Sequence, residues 1–263
     1  MTTYVIKMGG HALLDLSGEN RALAAMAHDI MQLQRDGARV VVVHGGGPSI
    51  ASLLEAVGEP SVFVDGLRVT TPSVMGYVDM ALAQVNRALV SRLCHFGVAA
   101  VGMSGVDGGT LTASAIGEPL QRVGMRPRVD TRLLVHLWEG GFVPVLSPVA
   151  NDEVGERLNC NADTAAGAIA GAVSADALLL LSDIDQVRSD VTDASSGLRS
   201  VTVAEIDVLL ASGAAQGGMR PKLQAAIDAI DAGAKRVWLA NGTREHCVRD
   251  LLANQVPTTE ILP

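Results

Sequence analysis

Two places where an apolar strand runs into glycine hold the residues best suited to chemistry in this chain. Arg39-Val40-Val41-Val42-Val43 leads into His44-Gly45-Gly46-Gly47-Pro48, and Val5-Ile6-Lys7-Met8 leads into Gly9-Gly10. Glycine has no Cβ, so a ligand can approach the backbone closely, and the N–H groups at the head of a helix begun by Pro48 favour an anion. Such a turn suits a phosphate or a carboxylate. A tight strand-to-helix turn without a ligand would use the same residues, so one glycine run does not decide between them. Two junctions side by side in a parallel sheet would put both cradles at its carboxyl edge, where open α/β folds bind ligands, with Lys7 supplying positive charge.

Other chemistries lack their residues. The chain has no G-x-x-x-x-G-K-[ST] loop and no G-x-G-x-x-G between a strand and a helix. Ser104, in Met103-Ser104-Gly105, falls short of a nucleophile elbow and has no histidine–acid pair placed to activate it. Cys94, Cys160 and Cys247 are far apart and odd in number, which suits reduced structural thiols. His11, His28, His44, His95, His136 and His246 are scattered, and no metal site built from protein ligands alone is expected. The net charge of −8 is spread along the chain without a basic stripe, which argues against nucleic acid as a partner. No apolar run approaches membrane-spanning length, and Tyr4-Val5-Ile6 is too short for a signal-peptide core, so no membrane association and a cytoplasmic location are expected.

The elements that must position these residues alternate. Strands are expected at Tyr4 to Met8, Val40 to Val43, Val98 to Met103, Phe142 to Leu146, Ala177 to Leu181 and Val237 to Ala240, the fourth weakened by Pro144. Helical spacing runs from Arg21 to Asp36, from Pro48 to Gly58, from the Thr71-Pro72 cap to Gly97, and from Thr131 to Glu139. Further helices span Thr164 to Val173, Thr202 to Leu210 with a capping-box Glu205, and Pro221 to Gly233. Thr110 to Arg128 reads as short strands forming a small antiparallel lid, Asn151 to Asn161 as a polar loop, Asp183 to Ser200 as a polar, mobile loop, and Thr258 to Leu262 as an edge strand. An apolar fraction of 48% with 18% charged residues suits buried parallel strands covered by helices. The expected fold is α/β, a three-layer αβα sandwich with a mainly parallel central sheet, without a linker or internal repeat.

Six ordered motifs across nearly the whole chain resemble the amino-acid kinase family. They are Val5-Ile6-Lys7-Met8-Gly9-Gly10, Val42-Val43-His44-Gly45-Gly46-Gly47-Pro48, Asp65-Gly66-Leu67-Arg68-Val69-Thr70, Asn159-Cys160-Asn161-Ala162-Asp163, Ser182-Asp183-Ile184-Asp185 and Gly217-Gly218-Met219-Arg220-Pro221-Lys222. The third and fourth together point to the branch that phosphorylates the side-chain carboxylate of N-acetyl-L-glutamate from ATP in arginine biosynthesis. The resemblance implies that Lys7 and Lys222 flank the transferring phosphoryl group while Asp163 orients both ammonium groups. It also implies that Gly45, Gly46, Arg68 and Asn159 bind the acyl substrate. Nucleotide binding would fall to Lys7, Gly9, Gly10, Asp183, Gly218, Met219 and Lys222, with Mg2+ arriving on the ATP. One domain, residues 1–263, would comprise an acyl-binding and dimerising lobe over 1–173 and a nucleotide lobe over 174–263.

Three departures from the family pattern stand out. Gln186 follows Asp185 where glycine is common, Val106 stands where many relatives carry lysine, and the tail from Val256 lacks a Gly-Thr pair. The first strand begins almost at once, without the N-terminal helix of arginine-inhibited hexamers, so a homodimer insensitive to arginine is expected. Two other activities remain open on these motifs. One is an acyl-phosphate kinase for another protected glutamate or aminoadipate, including one linked to a carrier protein; the other is a non-catalytic nucleotide or amino-acid sensor.

Overall fold

The structure, a computed structural model, describes residues 1–9, 20–190, 192–193, 195–212 and 219–263. The first half of the chain forms β1 (Thr3–Met8), α1 (Arg21–Arg35), β2 (Arg39–His44), α2 (Gly47–Ala56), β3 (Phe63–Val64), β4 (Leu67–Arg68), α3 (Pro72–His95) and β5 (Ala100–Ser104). There follow β6 (Leu111–Gly117), β7 (Gln121–Val129), α4 (Arg132–Glu139), β8 (Val143–Ser147), β9 (Val149–Asn151), β10 (Arg157–Cys160) and α5 (Ala162–Ala172). The last third holds β11 (Ala177–Ser182), β12 (Ser200–Thr202), α6 (Val203–Ser212), α7 (Met219–Asp231), β13 (Val237–Asn241), α8 (Cys247–Leu252) and β14 (Thr258–Leu262).

Among the described residues, eight strands make one sheet in the order β12-β14-β13-β11-β1-β2-β8-β5. Its pairs are parallel except that β14 runs antiparallel to β13. Both faces are buried, which is why the central strands read as continuous runs of Val and Leu rather than as alternation. Val5, Val41, Leu178 and Leu180 face one helical layer with α4, α5, α6 and α7. Ile6, Val42, Leu179 and Leu181 face α1, α3 and α8. Each such side chain, once fully buried, stabilises the fold by about 1.5–3 kcal/mol relative to exposure. The three layers match the sandwich expected from the sequence. Lys7 lies in β1, one of the two central strands, opposite Val43 on one side and Leu180 on the other.

Several expectations need correction. Asn151 to Asn161 is not simply a loop: β9 and β10 flank its turn and close a four-stranded barrel with β6 and β7. Leu111, Ala113 and Leu158 are buried there, so the Thr110 to Arg128 segment is a packed wall and not a free lid. β14 is not an edge strand, because β12, only three residues long, pairs outside it. β8 is paired on both sides despite Pro144; the β2 ladder begins one residue later, at Val145, so the missing N–H falls outside it. The base of the Asp183 to Ser200 segment is anchored. Val187 is buried and donates its N–H to Thr259 Oγ1 at 2.9 Å, and Leu198 donates to Val187 at 2.8 Å.

Local signals did set several boundaries. Thr71 accepts the Val74 N–H at 3.2 Å and caps α3, with Pro72 in its first turn. Thr202 and Glu205 bond reciprocally at 2.7 and 3.2 Å, a capping box at the head of α6. Asn161 accepts the N–H groups of Asp163 and Thr164 at 2.8 and 3.3 Å, starting α5 two residues earlier than periodicity alone indicates.

Candidate functional site

Strand ends meet at the carboxyl edge of the sheet, and glycine follows several of them. Gly9 donates to the Leu181 carbonyl at 2.8 Å, Gly45 to Met8 at 3.1 Å, Gly105 to Ser147 at 3.1 Å and Gly242 to Ser182 at 2.8 Å. A Cβ on Gly9 would stand 3.0 Å from the Leu181 carbonyl oxygen, so this glycine is required by the backbone of β11. The N–H groups of Gly9 and Gly45 are therefore engaged within the sheet, and a ligand meets those residues by close approach. Gly46 and Gly47 differ, because they stand at the head of α2, where helical geometry leaves N–H groups without an intrahelical acceptor. A Cβ at Gly46 would come within 2.7 Å of the end of the Leu82 side chain, which would have to shift to admit one.

His44 explains how the glycine turn is held. Its side chain is fully buried, its Nδ1 bonds the Gly45 carbonyl at 2.8 Å, and its Nε2 meets Asn86 Nδ2 of α3 at 3.0 Å. With Asn86 donating, Nδ1 carries the proton and the ring is neutral. Burial pushes its pKa down to about 4, only partly offset by the Gly45 carbonyl. Asn86 also donates to the Val145 carbonyl at 2.9 Å, joining β2, β8 and α3 behind the turn. The sequence marked His44 as part of a motif but gave no sign of Asn86, which is 42 residues away.

Facing this turn are three charged groups in one cluster. Lys7 Nζ lies 2.7 Å from Asp163 Oδ1, and Lys222 Nζ lies 3.1 Å from Asp163 Oδ2, so each carboxylate oxygen holds one ammonium group. Lys7 comes from β1, Asp163 from the first turn of α5 and Lys222 from the first turn of α7. Burial pulls the Lys7 ammonium below its usual pKa, with Asp163 opposing the fall and Lys222 adding to it. Burial would raise the Asp163 carboxyl, but the two ammonium groups outweigh it and hold the carboxyl below its usual range. A carboxylate this buried persists because both oxygens are compensated.

Arg68 closes another side. Asp65 and Gly66 both have positive φ, 49° and 79°, and form a two-residue Asp-Gly hairpin turn between β3 and β4. That turn, unrecognised as a hairpin in the sequence, delivers Arg68 beneath Phe63, whose ring centre is 4.6 Å from the guanidinium carbon. The guanidinium donates to Ser61 Oγ and, at 3.2 Å, to the Gly47 carbonyl, tying hairpin and glycine turn together. Asn159 of β10 donates to Thr70 Oγ1 at 3.1 Å, and Thr70 donates to the Arg68 carbonyl at 2.8 Å. Ser61 and Thr70 escaped notice as site residues; Thr70 stands within the motif around Arg68, whereas Ser61 had no signal.

These groups share a cavity of about 450 Å³ lined by Lys7, Gly45, Gly46, Arg68, Asn159 and Asp163 among others. The other expected site residues lie elsewhere or beyond description. Asp183 is exposed at the end of β11, and Met219 packs at the head of α7 against the main core. Gly10 and Gly218 lie outside the described residues. Gln186 bonds the carbonyls of Leu198 and Thr258 at 3.3 and 3.0 Å, so it fastens its segment to β14. Val106 packs beside α2 and α3. Two of the histidines that are scattered along the sequence meet in space: His28 and its neighbour Asp29 converge with the distant His246, with potential ligand atoms within 4.8 Å of one another.

The buried lysine–aspartate–lysine cluster, the glycine cradle and the sandwich belong together, and comparison with known proteins gives their class. Residues 2–241 match the model of the amino acid kinase family, and the chain belongs to that family. Among its relatives, acetylglutamate kinase of Methanocaldococcus jannaschii is 39% identical over 93% of this chain and 85% of its own length. Acetylglutamate kinase of Symbiobacterium thermophilum is 42% identical with the same coverage of each. In structure, the protein smu.665 of Streptococcus mutans UA159 superposes with a TM-score of 0.83 at 27% identity, covering 99% of this chain and 98% of its own. Carbamate kinase of Giardia lamblia, at 18% identity and a TM-score of 0.69 over 99% and 98% of the two chains, shares the fold.

Proposed function

We propose that this protein is a kinase that moves the γ-phosphoryl group of ATP to the side-chain carboxylate of N-acetyl-L-glutamate, a step of arginine biosynthesis. The observation that carries this reading is Asp163 held between Lys7 and Lys222 beside the cavity that contains Arg68 and the glycine turn. An ionised carboxylate needs no general base, so catalysis of this transfer is positioning and charge neutralisation. Lys7 and Lys222 neutralise charge on the phosphoryl group in flight, and Asp163 fixes where the two ammonium groups stand. Gly45 and Gly46 receive the acyl end of the substrate by close backbone approach. Arg68 and Asn159 take its α-carboxylate, the arginine through its planar fork.

Lys7, Gly9, Gly10, Asp183, Gly218, Met219 and Lys222 form the nucleotide side. Mg2+ fits this site as an ion carried by the nucleotide: both oxygens of the buried Asp163 face ammonium groups, leaving phosphate oxygens and water as its ligands. When bound, Mg2+ supplies charge neutralisation on the phosphates. Residues 1–173 serve as the acyl-binding and dimerising lobe and 174–263 as the nucleotide lobe of one domain, in a homodimer acting in the cytoplasm. No described helix is long and apolar enough to cross a membrane, and Cys94, Cys160 and Cys247 are free thiols, as a reducing compartment would keep them.

An ATP-dependent hydroxylamine trap for acyl phosphate tests the reaction on N-acetylglutamate, glutamate, N-acetylaspartate, aminoadipate derivatives and carbamate. Hydroxamate from N-acetylglutamate alone is expected. Turnover of another acceptor in its place, or binding without turnover of any, would overturn the assignment. Sedimentation at working concentration tests the dimer.

A further inference from the structure

On the opposite face of the sheet from the lysine cluster, α1 meets the turn between β13 and α8. Asp29, on α1, is 3% exposed, and its Oδ2 accepts the Arg249 N–H at 3.1 Å. Arg249 is the third residue of α8, whose N-cap position is taken by His246 in the left-handed region at φ 53°, with no capping bond from its own side chain. Asp29 thus supplies from a distant helix the acceptor that a local cap would normally provide. Its Oδ1 faces His246 Nδ1 at 2.7 Å.

A cap of this kind needs only Asp29 and His246. The structure adds His28, exposed on α1, with its ring 5.8 Å from that of His246 and nearly perpendicular to it, at 84°. Two imidazoles bound to one tetrahedral ion, at Zn–N distances of about 2.1 Å, place their ring centres about 5 to 6 Å apart. One potential ligand atom from each of His28, Asp29 and His246 lies within 4.8 Å of the others, and binding draws in the exposed His28 side chain and replaces the 2.7 Å hydrogen bond between Asp29 Oδ1 and His246 Nδ1, whose proton is released, by two metal–ligand bonds.

We propose that His28, Asp29 and His246 form a binding site for a zinc-class divalent ion, with water in the fourth position. Two imidazoles and one carboxylate suit Zn2+ or Co2+ rather than Mg2+ or Ca2+, which take oxygen ligands. The bond from the Arg249 N–H to the second oxygen fixes the carboxylate, the kind of outer support that metal-ligating groups use. The ion clips the turn after β13 to α1. That turn also carries Arg244, whose guanidinium reaches Asp185 at 2.8 Å.

The test is calorimetric titration with Zn2+ alone on the full chain carrying Cys94→Ser, which removes the exposed thiol as a competing ligand, together with melting curves with and without Zn2+. One Zn2+ per chain is expected, with a rise in Tm on binding. His28→Ala is expected to weaken binding at least tenfold and abolish the Zn2+-dependent rise, while its metal-free Tm stays that of the parent, since the bonds between Asp29, His246 and Arg249 remain. Absence of saturable one-to-one binding, or equal affinity in parent, His28→Ala and His246→Asn, would overturn the proposal.

Discussion

The proposed acyl side and the proposed nucleotide side of this site are built differently. Around the glycine turn, Arg68, Asn159, Thr70, His44 and Asn86 are joined by hydrogen bonds among β2, β4, β8, β10 and α3. On the other side Asp183 is exposed, and Asp185 pairs with Arg244 where both side chains are nearly half exposed. The first region is fixed by buried polar bonds whose loss leaves unpaired groups, which is costly; the second is held by contacts that water and salt weaken. On the proposed assignment, discrimination between acyl acceptors resides in a preorganised pocket, and nucleotide binding leans on a more solvated surface.

Breaking the shared centre should have the largest effect. Asp163→Ala leaves Lys7 buried without its carboxylate and is expected to cost about 3–5 kcal/mol in denaturant unfolding, with activity lost. Lys7→Ala should lower kcat roughly 100- to 1,000-fold, about 3–4 kcal/mol, as removal of one transition-state contact does. If kcat fell no more than threefold, the phosphoryl clamp would be misassigned.

The buried side can be probed through pH. His44 has its folded pKa depressed to about 4, so below the unfolded value of about 6.5 the unfolded chain takes up a proton that the folded chain refuses. Its contribution is complete above pH 6.5 and falls as pH drops towards 4, by roughly 3 kcal/mol in all. Unfolding free energies measured across that window should decline more steeply in the parent than in His44→Gln. Parallel slopes would remove His44 as the cause.

Smaller effects should separate the two sides. Arg68→Lys, which loses the planar fork, is expected to raise KM for the acyl substrate by roughly ten- to a hundredfold, about 1.5–3 kcal/mol, with KM for ATP unchanged. Arg244→Ala should cost about 0.2–1 kcal/mol at most in stability and leave the acyl KM alone, since it removes an exposed pair. A reversed pattern, with Arg244→Ala acting on the acyl KM, would erase the distinction between the regions.

Much of the fold was legible because local signals and burial agreed. The valine run of β2, the Thr202–Glu205 box and the Thr71-Pro72 cap each specify their element by themselves. The misread parts depend on distant residues. In β10 only Leu158 and Cys160 of Arg157-Leu158-Asn159-Cys160 are buried, too short an alternation to stand out among polar neighbours. α8 has no cap of its own, and its acceptor on Asp29 is 220 residues away. The same holds for the site: Lys7, Arg68, Asp163 and Lys222 lie in recognisable motifs, whereas Ser61 and Asn86 act through bonds that no spacing reveals.

On the proposed role, the lysine–aspartate–lysine cluster also bears on what happens after transfer. Two ammonium charges and one carboxylate charge leave it with one net positive charge. The two lysines alone, one buried and one partly exposed, would hold any phosphorylated product, or free phosphate, with the full attraction of a doubly charged trap. In the proposed reaction, Asp163 weakens that attraction and so eases release of the phosphorylated product, while each ammonium group keeps further N–H donors.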